Sequence, residues 1–385
     1  MAKNKERFEL IAKTLPGLEQ VLADELVQLG AERTRLLRRA VSYYADTELL
    51  YRSNYQLYTA LKILKPISTF PIRNENDLYL KSQRIQWSRY LTTEHTFSIE
   101  AVVHSSLFRH TGFVALKVKD AVADYFRDKT GRRPNVDTRH PDITIHVHIT
   151  NQQCTLSLDS TGKSLHKRGY RRDNHDAPLN EVFAAGMLRL AGWTPQKNLF
   201  DPMCGSGTIV IEAGLVCEGI PPGSFRDTFA FENWLDYDPA LFERVKRAKS
   251  ASENMPIGEI VGSDVSGRYV SMAERNIDVA GLAGKITIRK NSFEQATPPW
   301  SEGMIVMNPP YGERMNPGEI NALYRSIGDT LKKNFAGYEA WIISSNKDAL
   351  KNLGLQTSKK LTLHNGPLEV KFQKYVLYKG SKKQR

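Results

Sequence analysis

The sequence predicts an α/β protein in which a mostly parallel sheet with helix-covered faces follows one or two small α+β units. Three observations predict it. After residue 175, short apolar runs alternate with helical patterns. A glycine-rich turn, Asp201-Pro202-Met203-Cys204-Gly205-Ser206-Gly207-Thr208, stands where one such run passes into a helix. Finally, Asn308-Pro309-Pro310-Tyr311-Gly312 follows directly on the apolar strand Met304–Met307.

The chain opens β–α. Phe8–Ala12 reads as a strand, and Pro16-Gly17 opens a helix whose apolar positions Leu18, Val21, Leu22, Leu26 and Leu29 keep helical spacing until Gly30. Strands follow at Thr96–Val103, Ile143–Thr150 and Cys154–Leu158, with a helix over Gly112–Arg127. His146 and His148 alternate on the second of these strands without an acidic or thiol partner nearby, so they read as strand residues rather than metal ligands. The polar, basic stretch Gly162–Asp176 reads as a linker. Beyond it come helix Leu179–Ala191, strand Asn198–Asp201, helix Thr208–Cys217, strand Ile260–Ser263 and helix Ser266–Ala280. Strands Lys285–Arg289 and Met304–Met307, helix Glu319–Phe335 and strand Ala340–Ser344 complete the alternation. Two last arms, Lys360–Leu363 and Leu368–Tyr378, flank Asn365-Gly366, a dipeptide suited to a tight turn, and such a hairpin would close one edge of the sheet.

At 385 residues the chain has room for two or three domains, and 41% hydrophobic with 25% charged residues is a globular composition. No apolar stretch approaches the roughly 20 residues of a membrane span, and the basic start lacks the apolar core of a signal peptide, so a cytoplasmic protein is expected. Cys154, Cys204 and Cys217 have neither zinc-knuckle nor dithiol spacing, and no metal is expected. Lysine and arginine outnumber aspartate and glutamate 54 to 42, with 30 against 21 in residues 1–200 and 24 against 21 in residues 201–385. The basic excess therefore sits in the first half, where it favours a polyanionic partner, nucleic acid above all.

Glycines at 205 and 207 permit positive φ and close backbone approach, and the free N–H groups at the following helix start can bond an anionic or polar ligand. The pattern is not a dinucleotide fingerprint, because Val210 stands where the third glycine belongs, and no P-loop Gly-Lys-Ser/Thr is present. Asp264, at the end of the next strand, is placed to accept both hydroxyl protons of a ribose. An insertion at about 218–258, with Pro221-Pro222-Gly223 and an aromatic cluster, separates the two motifs. In Asn308-Pro309-Pro310-Tyr311 the prolines fix the backbone and force Asn308 out of the helical region, so its amide and the Pro309 carbonyl form a rigid pair of acceptors. Tyr311 adds a plane on which a base can stack. A turn whose tyrosine merely packs in the core is the plainer alternative.

Together these residues resemble the class I S-adenosylmethionine-dependent methyltransferases, in the branch that methylates exocyclic amino groups of bases. With Arg168-Gly169-Tyr170-Arg171, Ala177-Pro178-Leu179 and Asn308–Arg314, the chain is similar to the THUMP-domain RNA methyltransferases, in particular the N-terminal half of the large-subunit enzymes of the L type, which forms N2-methylguanosine in 23S ribosomal RNA. The resemblance implies a ferredoxin-like unit over 1–66, a THUMP RNA-binding domain over 67–160, a basic linker over 161–177 and a Rossmann-like methyltransferase domain over 178–385. It also implies that Asp201, Met203, Gly205, Ser206 and Gly207 line the methionine end of S-adenosylmethionine and that Asp264 holds its ribose. Asn308, Pro309, Pro310 and Tyr311 would hold the target base. Asn291-Ser292 stands where many relatives carry an acid for the adenine amine, so Asn291 or Ser292 would take that contact.

Lys163, Lys167, Arg168, Arg171 and Arg172 put five cations in ten residues, and Arg132-Arg133 adds a pair; both read as phosphate contacts to RNA. Glu313 and Arg314 read as bystanders of the proline turn. Two rivals stand beside the RNA guanine-N2 reading: an adenine-N6 DNA methyltransferase, which shares the Asn-Pro-Pro-Tyr chemistry, and a noncatalytic RNA-binding protein that leaves the pocket unused.

Overall fold

A computed structural model describes residues 6–108, 110–171, 179–248, 257–311, 316–366 and 368–378. Arg172, Glu313 and Arg314 lie outside the described residues. The strands are β1 (Phe8–Lys13), β2 (Glu32–Leu37), β3 (Ala40–Ala45), β4 (Lys62–Pro71), β5 (Thr96–His104), β6 (Asn135–Val136), β7 (Ile143–Thr150) and β8 (Gln153–Asp159). They continue with β9 (Leu199–Asp201), β10 (Ile260–Asp264), β11 (Ile286–Lys290), β12 (Met304–Met307), β13 (Glu339–Ser344), β14 (Thr357–Asn365) and β15 (Leu368–Val376). The α-helices are α1 (Glu19–Gln28), α2 (Thr47–Gln56), α3 (Glu75–Gln83), α4 (Thr111–Thr130) and α5 (Glu181–Ala191). After these come α6 (Thr208–Cys217), α7 (Pro239–Arg247), α8 (Gly267–Val279), α9 (Pro317–Asn334) and α10 (Lys347–Asn352).

Two compact units result, and neither is continuous in sequence. One takes the chain up to Thr14, Ala23–Leu165 and Arg226–Ala248; the other takes Leu15–Leu22, His166–Phe225 and the chain after Ala248. In the first unit all strands join one sheet in the order β2-β3-β1-β4-β8-β7-β5-β6. The one or two small α+β units expected here thus share a single eight-stranded sheet, and β2, β3, α2, β4 and α3 are elements that weak periodicity hid. The aromatic half of the insertion belongs here: Tyr51 of α2 stacks on Phe231 at 4.4 Å, and the Phe242 ring of α7 meets Phe231 edge-on at 5.0 Å.

The second unit holds the sheet β11-β10-β9-β12-β13-β15-β14. Its first five strands run parallel, and β15 pairs antiparallel with both β13 and β14, so the hairpin closes one edge as expected. Gly366 in its turn has φ +64°. β9, β10, β12 and β13 are buried on both faces while the edge strand β11 is largely exposed, and Phe200, Ile305, Met307 and Ile342 pack against Tyr324, Ile327, Leu331 and Phe335. On α9, Gly328 lets the end of α10 approach closely, because a Cβ there would sit 1.9 Å from the Leu353 carbonyl oxygen. The chain leaves β9 first for β10 and β11 on one side and later for β12 and β13 on the other. This reversal puts a crevice at the carboxyl ends of β9 and β12, the place where such sheets bind ligands.

One expectation is corrected here. Residues 166–171 are not a linker, because Arg168 and Tyr170 are buried in the second unit around a fully buried Glu212 of α6. Arg168 Nη2 lies 3.3 Å from Glu212 Oε2, and the Tyr170 hydroxyl donates to Glu212 Oε1 at 3.1 Å. Removing one member of such a pair strands the other charge without water. Glu212→Ala should therefore destabilise the protein by about 3–5 kcal/mol, read as a lowered midpoint in thermal or denaturant unfolding.

Candidate active site

The cleft, about 880 Å³ in volume, is lined from four neighbouring parallel strand ends: Asp201 and the glycine turn after β9, Asp264 and Val265 at β10, Asn291 and Ser292 after β11, and Asn308 to Tyr311 after β12. Every cofactor and base residue expected from the sequence except Gly207 is on that lining. Gly207 instead shapes the turn from behind. It has φ +84°, and a Cβ there would meet Ala273 of α8 at 3.2 Å, so only glycine lets the turn close against that helix. Gly205, at φ +54°, faces open space where a Cβ would touch nothing within 4 Å.

Hydrogen bonds hold the turn rigid. Cys204 N–H donates to the Ser263 carbonyl at 2.9 Å, and Asn276 Nδ2 donates to the Ser206 carbonyl at 3.0 Å. Asp264 bridges the two motifs: Oδ2 accepts from Gly205 N–H at 3.0 Å and Oδ1 from Ser266 N–H at 2.9 Å. Each carboxylate oxygen keeps acceptor capacity for a diol. Asp201 is buried, with one oxygen accepting from Met203 N–H at 3.2 Å. Burial above all, with the nearby Asp264 charge adding to it, pushes the Asp201 carboxyl up to about 8.

The far side of the cleft has the opposite character. Asn308 Oδ1 is buried and has no hydrogen-bond partner among the described residues. A buried amide oxygen without a donor is costly, and this one lines the cleft, where the N–H of a ligand would satisfy it. Tyr311 is half-buried and shares the cleft lining with Asn365 from the hairpin turn, and burial pushes its hydroxyl above the ordinary tyrosine value. The residues thus fit a nucleoside with a cationic amino-acid arm on one side and a planar base bearing an amine on the other.

Several lining residues escaped the sequence reading. Val265, 69% exposed, offers an apolar surface beside the Asp264 carboxylate, and its position directly after Asp264 was an available signal. Asn365 and Leu368 arrive from the hairpin turn and Leu323 and Ser326 from α9, and no local pattern pointed to them. Among the expected RNA contacts, Lys163, Lys167, Arg132 and Arg133 are exposed, and Arg132 pairs with Glu94 at 3.0 Å. Arg168 and Arg171 are corrected: the first is buried against Glu212, and the second, 14% exposed, pairs with Glu181 at 3.3 Å and donates to Thr208 Oγ1 at 2.9 Å. Their guanidinium groups brace α5 and α6 and are not available to phosphate. His146 is a buried residue of β7, and burial with the charges of Lys13 and Lys62 pushes it down to about 3, so its ring stays neutral.

A parallel sheet whose glycine turn, strand-end acid and Asn-Pro-Pro-Tyr corner converge on one cleft defines a class I methyltransferase. The chain belongs to the RMKL-like methyltransferase family, whose domain it matches over residues 168–374, preceded by an RlmL ferredoxin-like domain over 9–64 and a THUMP domain over 72–159. It is 39% identical over 98% of both chains to a Synechocystis protein described as a candidate RNA methyltransferase. It is also 36% identical to the ribosomal RNA large subunit methyltransferase K/L of Syntrophotalea carbinolica, covering 94% of this chain but 52% of that one. The chain thus spans about half the length of its K/L relatives. Among solved structures it is similar to a possible methylase from Clostridium difficile 630 (30% identity, TM-score 0.88, 98% of this chain and 100% of that one). A second, a candidate methyltransferase in complex with S-adenosylhomocysteine, shows 29% identity and a TM-score of 0.86 over 98% and 100% of the two chains.

The raised Asp201 carboxyl has a measurable consequence for the ligand-free protein. A carboxyl near 3.8 when unfolded and about 8 when folded contributes stability fully present below pH 4 that is lost as pH rises toward 8. Asp201→Asn, which keeps an oxygen for Met203 N–H, should remove that loss. Melting curves across pH 5 to 8.5 should show the variant gaining on wild type by a few °C, and parallel curves would refute the assignment.

Proposed function

We propose that the protein transfers a methyl group from S-adenosylmethionine to the exocyclic N2 amine of a guanine in RNA, with large-subunit ribosomal RNA as the substrate. The observation that carries this reading is the unpartnered, buried Asn308 Oδ1 on the cleft wall opposite the glycine turn. An exocyclic amine brings two N–H donors in one plane, which suits an amide oxygen and a neighbouring main-chain carbonyl.

Asp201, Met203, Gly205 and Ser206 would hold the methionine end of the cofactor, Asp264 its ribose, and Asn291 or Ser292 its adenine amine. When bound, the cofactor supplies an electrophilic sulfonium methyl. The protein's task is to make a poor nucleophile available. A guanine amine is unreactive because its lone pair is delocalised into the ring. Asn308 Oδ1 and the Pro309 carbonyl each accept one amine N–H, favouring a pyramidal nitrogen and stabilising the positive charge that develops there. No strong base is required, and the proton leaves after transfer. Pro309 and Pro310 fix the acceptors without an induced fit, and the Tyr311 ring supports a base that must leave its stack to enter. The names of the K/L and Synechocystis relatives and the THUMP match support RNA as the substrate; Lys163, Lys167, Arg132 and Arg133 are the proposed phosphate contacts outside the cleft.

Asn308→Ala should lower kcat by about a hundredfold or more while S-adenosylhomocysteine affinity by calorimetry stays within about threefold. Equal turnover by variant and wild type would reject the role. Labelled cofactor offered with purified ribosomal RNA and with DNA, followed by nucleoside mass spectrometry, should give N2-methylguanosine from RNA alone. Product in DNA as N6-methyladenine would establish the rival, and absence of cofactor binding would establish a noncatalytic protein.

A further inference from the structure

With Arg168 and Arg171 spent inside the fold, the positive excess of the first 200 residues lies elsewhere. One concentration stands out in the first unit. The hairpin β2–β3 carries Arg33, Arg35, Arg38 and Arg39 against Glu32 in eight residues, and all four arginines are exposed. Leu37 pairs with Ala40, so Arg38-Arg39 form a two-residue turn. Such turns ordinarily take glycine or asparagine, yet Arg39 sits here at φ +58°, and Arg33, where the β2–β3 register shifts, sits at φ +50°. Only one other described non-glycine residue, Asn151, has positive φ. Two arginines thus occupy backbone positions that disfavour any side chain, and the chain keeps the guanidinium groups there at a conformational cost.

Neighbouring strands extend the charge. Lys13 at the end of β1 pairs with Ala40, directly after the turn, and Thr14 N–H donates to the Arg39 carbonyl at 3.0 Å, so Lys13 lies beside Arg39. Acids offset part of this, since Glu100 and Asp159 act on the half-buried Lys13. Arg35, its side chain 71% exposed, has Glu9 only at 4.0 Å, and Glu32 pairs with Arg7. Exposed Tyr44 lies beneath Arg33, whose guanidinium carbon is 5.4 Å from the ring centroid. β2 is an edge strand, and charge on an edge also prevents strand pairing between molecules. That need is met by either sign and does not explain arginine at the turn, off the ladder and at positive φ.

We propose that the arginine hairpin β2–β3, with Lys13 beside it, is a second RNA contact of this protein and grips the phosphate backbone far from the chemistry in sequence. The inference rests on the RNA reading above. Guanidinium forks match phosphate geometry, an exposed tyrosine adds a stacking plane, and the contact is sequence-independent. It serves to raise affinity and set register, leaving the choice of base to the cleft.

The test measures binding of in vitro transcribed 23S ribosomal RNA to the full chain by fluorescence anisotropy over a range of salt. Arg38→Gln with Arg39→Gly should weaken binding about tenfold and make the log–log salt slope shallower by roughly 1.5, two contacts at about 0.7–0.9 each. S-adenosylhomocysteine affinity should not change, which separates a lost RNA contact from a damaged fold. Arg35→Gln, an exposed change on the strand, should lower affinity and slope in the same direction by about half as much. Unchanged affinity and slope in both variants, with wild type binding RNA, would overturn the hairpin contact alone. Wild type failing to bind RNA would overturn this contact together with the RNA reading.

Discussion

Asp264 takes one hydrogen bond from the Gly205 N–H across the sheet and another from the Ser266 N–H at the start of its own helix. A single carboxylate thereby ties the ends of β9 and β10 together on the lining of the cleft. Its orientation is fixed before any ligand arrives, and such pre-set geometry would let the proposed ribose diol bind without reorganisation. Asp201 sits one strand away in a drier place, held by one backbone donor. Two acids at adjacent strand ends therefore differ in character because one is bridged at the rim and the other is buried.

The opposite wall works by omission. Among the described residues Asn308 retains an unsatisfied acceptor at the end of a fully buried strand, and the two residues that follow it, Pro309 and Pro310, have no N–H to offer it. Local propensity and global packing disagree at this corner, and such disagreements concentrate at functional sites.

Most of the second unit was legible because each parallel strand is a short apolar run bounded by turn residues, and α6 was read to its exact residues, Thr208–Cys217. The motifs were legible for the same reason: each follows a strand end immediately. The first unit was harder. β2 reads Glu-Arg-Thr-Arg-Leu-Leu, with no alternation to mark a strand, and α3 carries little apolar contrast. Burial was the other blind spot. Arg168 and Arg171 stood in a basic run that looked solvated, and only the fold reveals Glu212, 44 residues on, and Glu181 in the next helix as their destinations. Asn365 and Leu368 reach the cleft through a hairpin that pairs at long range, a relation that spacing cannot carry.

The discontinuity of the two units bears on how the molecule can be made and dissected. Tyr51 has its ring partners in Phe231, Tyr237 and Phe242, nearly two hundred residues later, while Leu18 fills the space left by Gly186 in α5. No single scission therefore separates the chain into two intact pieces. A ribosome emitting this polypeptide must hold the early sheet without its aromatic clasp until residue 248 has emerged, so the N-terminal portion cannot complete its core ahead of the rest, and engineers seeking an isolated RNA-gripping fragment would need to splice the clasp back in.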